Sequence, residues 1–209
     1  MSDARAAHAD NVDTEAEGEK SVRPEQDRIT KPVRRVVTGT RADGKSAVLY
    51  DSGNPHRFRR GGGSNIVFNE IWTFDTAPGP LAGSADGADR PMSHSPPAEG
   101  AHFRVIQSAK ENDAAVDQSE ADRQFAAMNS GGLSERLPGA RHWNMHRTRT
   151  VDYGIVTYGE RIHVLPESEF IMYKSDVVVQ LGHFHSWDST RGDNIMIFDM
   201  IGGEYAFDK

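Results

Sequence analysis

Two histidines and one aspartate in the C-terminal third of the chain are spaced as metal ligands would be. If residues 144–158 are extended, His146 and Asp152 share one face of a strand with Thr148. Short apolar runs then lead to His185, which can bring a second imidazole to the same place. Two imidazoles and one carboxylate with open positions suit non-haem Fe(II), and Mn, Ni or Zn can bind the same set. The spacing therefore predicts a metal centre formed by His146, Asp152 and His185.

Two further histidines, His142 and His183, lie near these residues in sequence. Each of them is a candidate catalytic group, which would move a proton, or else a reserve ligand for the metal. The alternative is that each is a surface group, or a hydrogen-bond partner that orients one of the ligands. The alternative for His146 and His185 is that they bind no metal and are histidines of the barrel interior with ordinary hydrogen-bond partners. A carboxylate such as Asp152 inside a barrel needs a metal, a cation, several donors or a proton. We expect His163 to be exposed.

The segments that must position these residues are mostly predicted strands. Residues 33–37 and 46–50 are short β-type runs joined by Asp-Gly, which indicates a hairpin. Further strands are predicted over 65–74 and 102–107, and everything after residue 141 has the pattern of strands and turns. The strand over 195–201 is apolar on both faces, which suits a sandwich core or a subunit interface.

One segment of this hairpin also matches a nucleotide-binding motif. Residues 39–46 (GTRADGKS) fit the phosphate-loop pattern GxxxxGK[ST]. The motif requires a helix that begins at the Lys-Ser pair, and the residues that follow are β-branched and aromatic before Gly53 and Pro55 interrupt them. We therefore favour the hairpin.

The remaining segments are one predicted helix and several loops. A helix is predicted over 121–128, with Ser119 as its N-cap and Gly131-Gly132 after its end. We interpret 57–63 as a mobile surface loop. Residues 76–100 form a long loop with five of the ten prolines, for which we favour disorder or an arm around a partner over a lid. Residues 1–30 carry eight acidic and four basic residues and are predicted to be a disordered acidic tail.

Composition excludes several classes of function. The 209 residues are enough for one domain, which we place at 31–209. The net charge of −7 argues against nucleic acid or an anionic membrane as a partner. The chain has no cysteine, so disulfides, thiolate metal sites and a cysteine nucleophile are excluded. No apolar run is long enough for a membrane span or a secretory signal, and we expect a cytoplasmic protein.

The chain from residue 141 onward resembles the cupin superfamily, whose motifs are G(x)5HxH(x)3-4E(x)6G and G(x)5PxG(x)2H(x)3N. His146 and Thr148 stand at the two histidines of the first motif, and Asp152 stands at its glutamate. His185 stands at the metal-binding histidine of the second motif, with Gln180 in place of the proline. The chain is also similar to a subgroup of small cupin-domain oxidoreductase-like proteins over most of 33–202. The segments that carry this likeness are 34–39, 69–76, 145–160 and 176–187.

The resemblance implies an all-β fold, a single cupin barrel (double-stranded β-helix or jelly roll) with one short helix. It also implies a homodimer, one divalent metal ion and a small-molecule substrate. The function that we expect is oxidative, dioxygenase-like chemistry on a small organic molecule. The alternatives are a metal-assisted lyase or isomerase of the decarboxylase or dehydratase type, and a small-molecule-binding cupin without enzymatic activity.

Overall fold

The computed structural model describes residues 27–60, 65–81, 83, 85–111, 117–128 and 132–206. Most of the predicted acidic tail, residues 1–26, lies outside this part of the chain. Residues 27–30 of the predicted tail form a short helix instead. Within the described ranges, no helix is long and apolar enough to cross a membrane. The cytoplasmic location stays a prediction.

The described chain is almost entirely β-structure, with two short helices. The helices are Asp27–Thr30 (α1) and Gln118–Ala127 (α2). The strands are Arg34–Thr40 (β1), Ser46–Gly53 (β2), Arg57–Arg59 (β3), Ile66–Phe74 (β4), Ala101–Ser108 (β5), Ser134–Arg136 (β6), His146–Thr148 (β7), Thr150–Tyr158 (β8), Glu160–Val164 (β9), Glu169–Tyr173 (β10), Val177–Leu181 (β11), Ser186–Asp188 (β12) and Asn194–Gly202 (β13).

The last six strands are divided between two antiparallel sheets in the pattern of a jelly roll, because the chain crosses from one sheet to the other after β8, β10, β11 and β12. In the six-stranded sheet, of order β11-β8-β13-β5-β4-β3, β11 and β13 pair with opposite sides of β8. In the three-stranded sheet, β10 and β12 pair with opposite sides of β9. Because the chain crosses from one sheet to the other and back, the two sheets wind together as a double-stranded β-helix. The predicted all-β jelly-roll fold is confirmed.

The hydrophobic core lies between the two sheets and is closed by α2. Side chains on β8 and β13 alternate between buried and more accessible positions, as the period of a strand requires. The core includes Ile66, Phe68, Ile106, Val156, Met196, Phe198 and Met200 from the six-stranded sheet, Met172 and Trp187 from the three-stranded sheet, and Phe125 and Met128 from the end of α2. Apolar side chains from both sheets and from α2 therefore form much of the inner face of the barrel.

The segment that matches the phosphate-loop pattern belongs to a hairpin. Strands β1 and β2 pair along their whole length, with Thr40 opposite Ser46. Gly44 has a φ of 80°, the left-handed conformation that the turn requires and that glycine adopts without strain. No helix follows the Lys-Ser pair, because β2 begins at Ser46, so the hairpin prediction is confirmed.

Two predictions about local structure are wrong in detail. The predicted mobile loop contains β3, which pairs with β4, and Arg60 after it is 3% exposed. Helix α2 begins earlier than predicted, because the carboxylate of Asp117 accepts a hydrogen bond from the backbone N–H of Ser119 at 2.7 Å and so caps the helix. Asp117 and not Ser119 is the N-cap.

The second half of the long loop packs against the barrel, which differs from the predicted disorder or arm. Asp86 receives hydrogen bonds from both terminal nitrogens of the buried Arg35 on β1, and His56 bonds to the same carboxylate at 2.9 Å. Arg35 also donates to the backbone carbonyl of Ile71 at 2.9 Å. A buried ion pair thus fastens the loop to the hairpin and to β4.

Replacing Asp86 by asparagine (D86N) should lower the free energy of unfolding by about 3 kcal/mol at neutral pH. The substitution leaves the buried guanidinium of Arg35 without its counter-charge, and breaking a buried pair from one side is strongly destabilising. Chemical denaturation of the two proteins measures the difference. The matched control is Asp75→Asn, which removes a surface partner of Arg90 and should cost less than about 1 kcal/mol.

The effect of D86N should also depend on pH. Burial alone would raise the pKa of Asp86, but hydrogen bonds from Arg35, His56 and the backbone of Ala88 outweigh it and hold the pKa far below its usual value. A folded-state pKa below the unfolded one stabilises the fold above the unfolded pKa of about 4. This stabilisation is lost as the pH falls through the folded pKa, so the two proteins should converge in acid. A difference that is the same at neutral and strongly acidic pH would contradict this account.

Candidate active site

A cavity of about 60 Å³ lies inside the barrel, between the two sheets and the end of α2. Its apolar wall consists of core side chains such as Phe68, Phe198 and Met200. Its polar wall carries three arginines, three histidines and one carboxylate, that of Asp152. A cavity of this volume accommodates a few waters or the reacting end of a small molecule.

His146 and His185 are joined directly through their backbones. The N–H of each donates to the carbonyl oxygen of the other, at 2.9 Å in both directions, and the two residues form an isolated antiparallel bridge. Side chains opposite each other in such a pair lie on the same side of the sheet. The ring centroids are 4.8 Å apart, and both imidazoles line the cavity. The fold therefore brings together two rings from distant parts of the sequence.

A backbone carbonyl orients each of these two imidazoles. Nδ1 of His146 lies 2.6 Å from the carbonyl oxygen of Asn144, and Nδ1 of His185 lies 3.0 Å from that of His183. A carbonyl oxygen can only accept, so both Nδ1 atoms carry the proton and both Nε2 atoms keep a lone pair. A metal-binding imidazole is typically held in this way, by an acceptor bonded to its other nitrogen.

Both imidazoles are neutral at physiological pH. Burial lowers the pKa of His146 and of His185 well below the ordinary value for histidine. Neighbouring imidazoles lower it further, His94 in the first case and His146 in the second. Neutral imidazole is the form that binds a metal ion, so no proton has to leave before binding.

Asp152 lines the same cavity, on the face of β8 that the sequence predicts. Its side chain is 3% exposed, and its Oδ1 atom is buried without a hydrogen-bond partner. Burial raises the pKa of Asp152 to about 6, although a hydrogen bond from Thr150 and the charge of Arg104 act in the opposite direction. Thr148, at the position of the second motif histidine, bonds to the hydroxyl of Thr150 at 2.6 Å. The cavity thus contains one carboxylate oxygen that lacks a donor.

The three predicted ligands do not form a compact metal cage. In the part of the chain that the structure describes, no three histidine, aspartate or glutamate side chains are grouped so that they could hold one metal ion. The rings of His146 and His185 lie together, and Asp152 lines the same cavity. The metal centre stays a prediction.

The two candidate catalytic histidines lie outside the cavity lining. His142 accepts hydrogen bonds at Nδ1, from the backbone of Asn144 at 3.2 Å and from the hydroxyl of Ser186 at 2.5 Å. His183 is half-buried, with its ring centroid 5.5 Å from that of His185, and its carbonyl orients that neighbour. A molecule bound in the cavity would therefore contact the lining side chains and not those of His142 and His183.

His163 is buried, so the prediction that it is exposed is wrong. It lies on β9 opposite Trp187 of β12 and is 1% exposed, with its ring centroid 4.4 Å from that of Trp187. Its Nε2 atom is 3.0 Å from the side-chain amide nitrogen of Gln180. The residue faces the core because β9 has its inward positions at odd residue numbers, Arg161 and His163.

Several polar residues of the cavity were not identified from the sequence, among them His94, Arg60 and Arg161. His94 comes from the long loop, and its ring centroid lies 4.5 Å from that of His146. Arg60 and Arg161 also line the cavity, from the end of β3 and from β9. No sequence pattern marks Arg161, because β9 is too short to show which of its faces turns inward. His94 and Arg60 lie in segments whose composition favours loops, so no pattern marks them.

No family model matches the chain, and no curated protein matches it. Solved structures to which it is similar include cupins. One is a cupin superfamily protein from Desulfitobacterium hafniense, with a TM-score of 0.31 and 10% identity over 48% of this chain and 66% of that one. A putative ethanolamine utilization protein Q from Salmonella typhimurium has a TM-score of 0.40 and 8% identity over 83% and 98% of the two chains.

An RmlC-like cupin from Shewanella frigidimarina has a TM-score of 0.37 and 10% identity, over 71% of this chain and 84% of that one. At these identities the likeness concerns the fold alone. The order of the strands in the two sheets carries the assignment of the fold.

Proposed function

We propose that this chain, which has the cupin fold, is a metal-binding enzyme that carries out oxidative chemistry on a small organic molecule in the barrel cavity. The observation that carries the proposal is the pair of neutral imidazoles of His146 and His185. Both are oriented by carbonyl groups, and both keep an Nε2 lone pair inside the same cavity.

The donor set fits a divalent ion in its chemistry. His146 and His185 would bind it through Nε2, and the Asp152 carboxylate, whose Oδ1 has no hydrogen-bond partner, would be the third donor after a change of its side-chain position. Fe is the metal that we favour, and Mn, Ni and Zn suit the same donors. A bound ion would supply Lewis-acid or redox chemistry at the polar wall of the cavity.

The residues around the imidazoles keep them in place. The carbonyl groups of Asn144 and His183 fix the ring orientations, and Trp187 packs its ring 6.3 Å from that of His185. The candidate proton-transfer roles of His142 and His183 remain part of the proposal. They require that a substrate reach beyond the cavity or, for His142, that it act through the hydroxyl of Ser186.

The second candidate function is a cupin that binds a small molecule without catalysis. It is favoured by Thr148 at the position of the second motif histidine, and by the lack of a three-ligand group among the described residues. Such a protein would be stabilised by its ligand without any metal.

Metal titration tests the proposed function. Protein freed of metal should bind about one equivalent of Fe²⁺, Mn²⁺, Ni²⁺ or Zn²⁺ in anaerobic calorimetry. His185→Gln should weaken the binding at least about tenfold, or about 1.4 kcal/mol, because one of two neutral imidazoles is lost. The matched control is His56→Gln, which removes an imidazole bonded to Asp86, away from the cavity.

Binding that is absent in the parent protein, or equal in the parent and His185→Gln, would rule out the metal enzyme. If metal does bind, oxygen consumption by the metal-loaded protein separates oxidative chemistry from a lyase or isomerase reaction. A substrate that is converted without loss of dioxygen would favour the latter.

The assembly that we propose is a homodimer formed through the outer face of the six-stranded sheet. Large apolar side chains are exposed there on β8 and on β11: Tyr153, Ile155, Val177, Val179 and Leu181. Val177 lies opposite Ile155 and Val179 opposite Tyr153, so these side chains form one continuous patch. Exposed apolar patches of this kind mark interaction surfaces. The acidic N-terminal residues contain few apolar side chains, so a second copy is the better partner for this patch.

Sedimentation of the full chain tests the dimer. The parent protein should sediment with twice the 23.1 kDa mass of one chain, and Val179→Lys should shift it to the monomer, because a charge would be buried in the interface. Val48→Lys is the matched control, since Val48 is exposed to a similar degree on the separate hairpin. A parent protein that sediments as a monomer, or a Val179→Lys protein that remains a dimer, would contradict this assembly.

A further inference from the structure

Two arginines that line the cavity, Arg60 and Arg161, form no ion pair with a carboxylate of the described residues. We infer that they bind the carboxylate group of a small organic ligand. The inference rests on the proposed function for the location of the site, and it names the chemical class of the molecule that enters this cavity.

Arg161 has more buried nitrogen atoms without a hydrogen-bond partner than Arg60 has. It lies on β9 and is 3% exposed, and its Nε and Nη1 atoms are buried without a hydrogen-bond partner. Its guanidinium carbon lies 5.6 Å from the centre of the Trp187 ring. Glu111 and Asp188 are the acids whose charge acts on it, but neither forms an ion pair with it. A guanidinium at the cavity wall therefore has free donors.

Arg60 extends the same cationic wall. It is 3% exposed and donates from Nη2 to the side-chain oxygen of Asn144 at 2.8 Å. Its guanidinium carbon stacks 4.3 Å from the centre of the Trp143 ring, and its Nε atom has no hydrogen-bond partner. One neutral acceptor satisfies part of this group, and Glu111, the acid whose charge acts on it, forms no ion pair with it.

The third arginine of the cavity shows the contrast. Arg104 pairs with Glu70 at 3.0 Å and donates to the backbone carbonyls of Ser93 and His94. Arg35, away from the cavity, is likewise paired with Asp86. Where a buried arginine of this chain serves the fold, it has a carboxylate partner, so the unpaired state of the other two points to a ligand.

The charge of the cavity supports an anionic ligand. Burial lowers the pKa of both Arg60 and Arg161 to about 10, so both remain charged at neutral pH. The one carboxylate of the cavity wall, that of Asp152, interacts with Arg104. A buried charge without a partner is costly, and a ligand carboxylate would relieve this cost.

The shape of the guanidinium group and the apolar wall define the ligand further. A guanidinium presents parallel N–H donors that match the two oxygens of a carboxylate. Other parts of the wall are formed by Ile106, Phe198 and Met200, which suit an apolar body. The ligand class is therefore a small monocarboxylic acid with a short apolar body, bound beside His146 and His185.

Binding of matched acids and amides tests this inference. Acetate, butyrate and benzoate are compared with acetamide, butyramide and benzamide by ligand-observed NMR and calorimetry on the full chain. The protein is first freed of metal and the chelator is removed by dialysis. At least one acid should bind about tenfold or more tightly than its amide, because only the acid supplies a counter-charge.

Arg161→Met should abolish this preference, and Arg60→Met should reduce it. Arg147→Gln is the matched control: it removes a charge next to His146 on β7, where the side chain is paired with Glu135 outside the cavity, and should leave the preference unchanged. Arg161→Met should melt at or above the parent temperature, because an unpaired buried charge has been removed. This melting temperature verifies that a loss of binding does not reflect unfolding.

Acids that bind no better than their amides, acids that do not bind at all, or a preference that survives Arg161→Met would each overturn the inference. The result is separate from the test of the metal enzyme, because the protein in this experiment contains no metal. Metal binding without a preference for acids would leave the proposed function in place and remove the inference. A preference for acids without metal binding would support the carboxylate site and rule out the metal enzyme.

Discussion

The backbone bridge between His146 and His185 is the constraint on which the candidate active site depends. Two hydrogen bonds of 2.9 Å join residues from distant parts of the sequence. The bridge places both side chains on one side, and the carbonyl groups of Asn144 and His183 then set the tautomers. The jelly roll makes the bridge possible, because it winds the chain so that the segments before β8 and before β12 meet. The chemistry of the cavity thus follows from backbone geometry first and from side chains second.

The buried charged side chains of the described residues fall into two groups. Arg104 and Arg35 are paired with carboxylates, as buried charges usually are. Arg60 and Arg161, by contrast, form no ion pair with a carboxylate of the described residues, and each of them, like Asp152, has a buried polar atom without a hydrogen-bond partner. Such atoms oppose folding unless a ligand satisfies them. All three residues line one cavity together with two neutral imidazoles. Both the proposed function and the proposed carboxylate site are based on this arrangement.

The sequence predicts the fold better than it predicts the site. Alternating strands, the Asp-Gly hairpin and the face shared by His146, Thr148 and Asp152 all follow from the period of a strand, which is a local property. His163 was misplaced because its short strand gives no indication of which face turns inward. His94 could not be found because a proline-rich loop has no period, and its place against His146 arises from packing with α2. Likewise, whether an arginine such as Arg161 has a partner depends on residues far away in sequence.

The most direct test of the central claim is the tautomeric state of two histidines, measured by long-range ¹H–¹⁵N correlation in imidazole-labelled protein at neutral pH. The account predicts that His146 and His185 are both neutral with the proton on Nδ1, and that Zn²⁺ shifts both Nε2 resonances together. Protons on Nε2, or charged rings, would contradict it, because the lone pairs that face the cavity would then be absent.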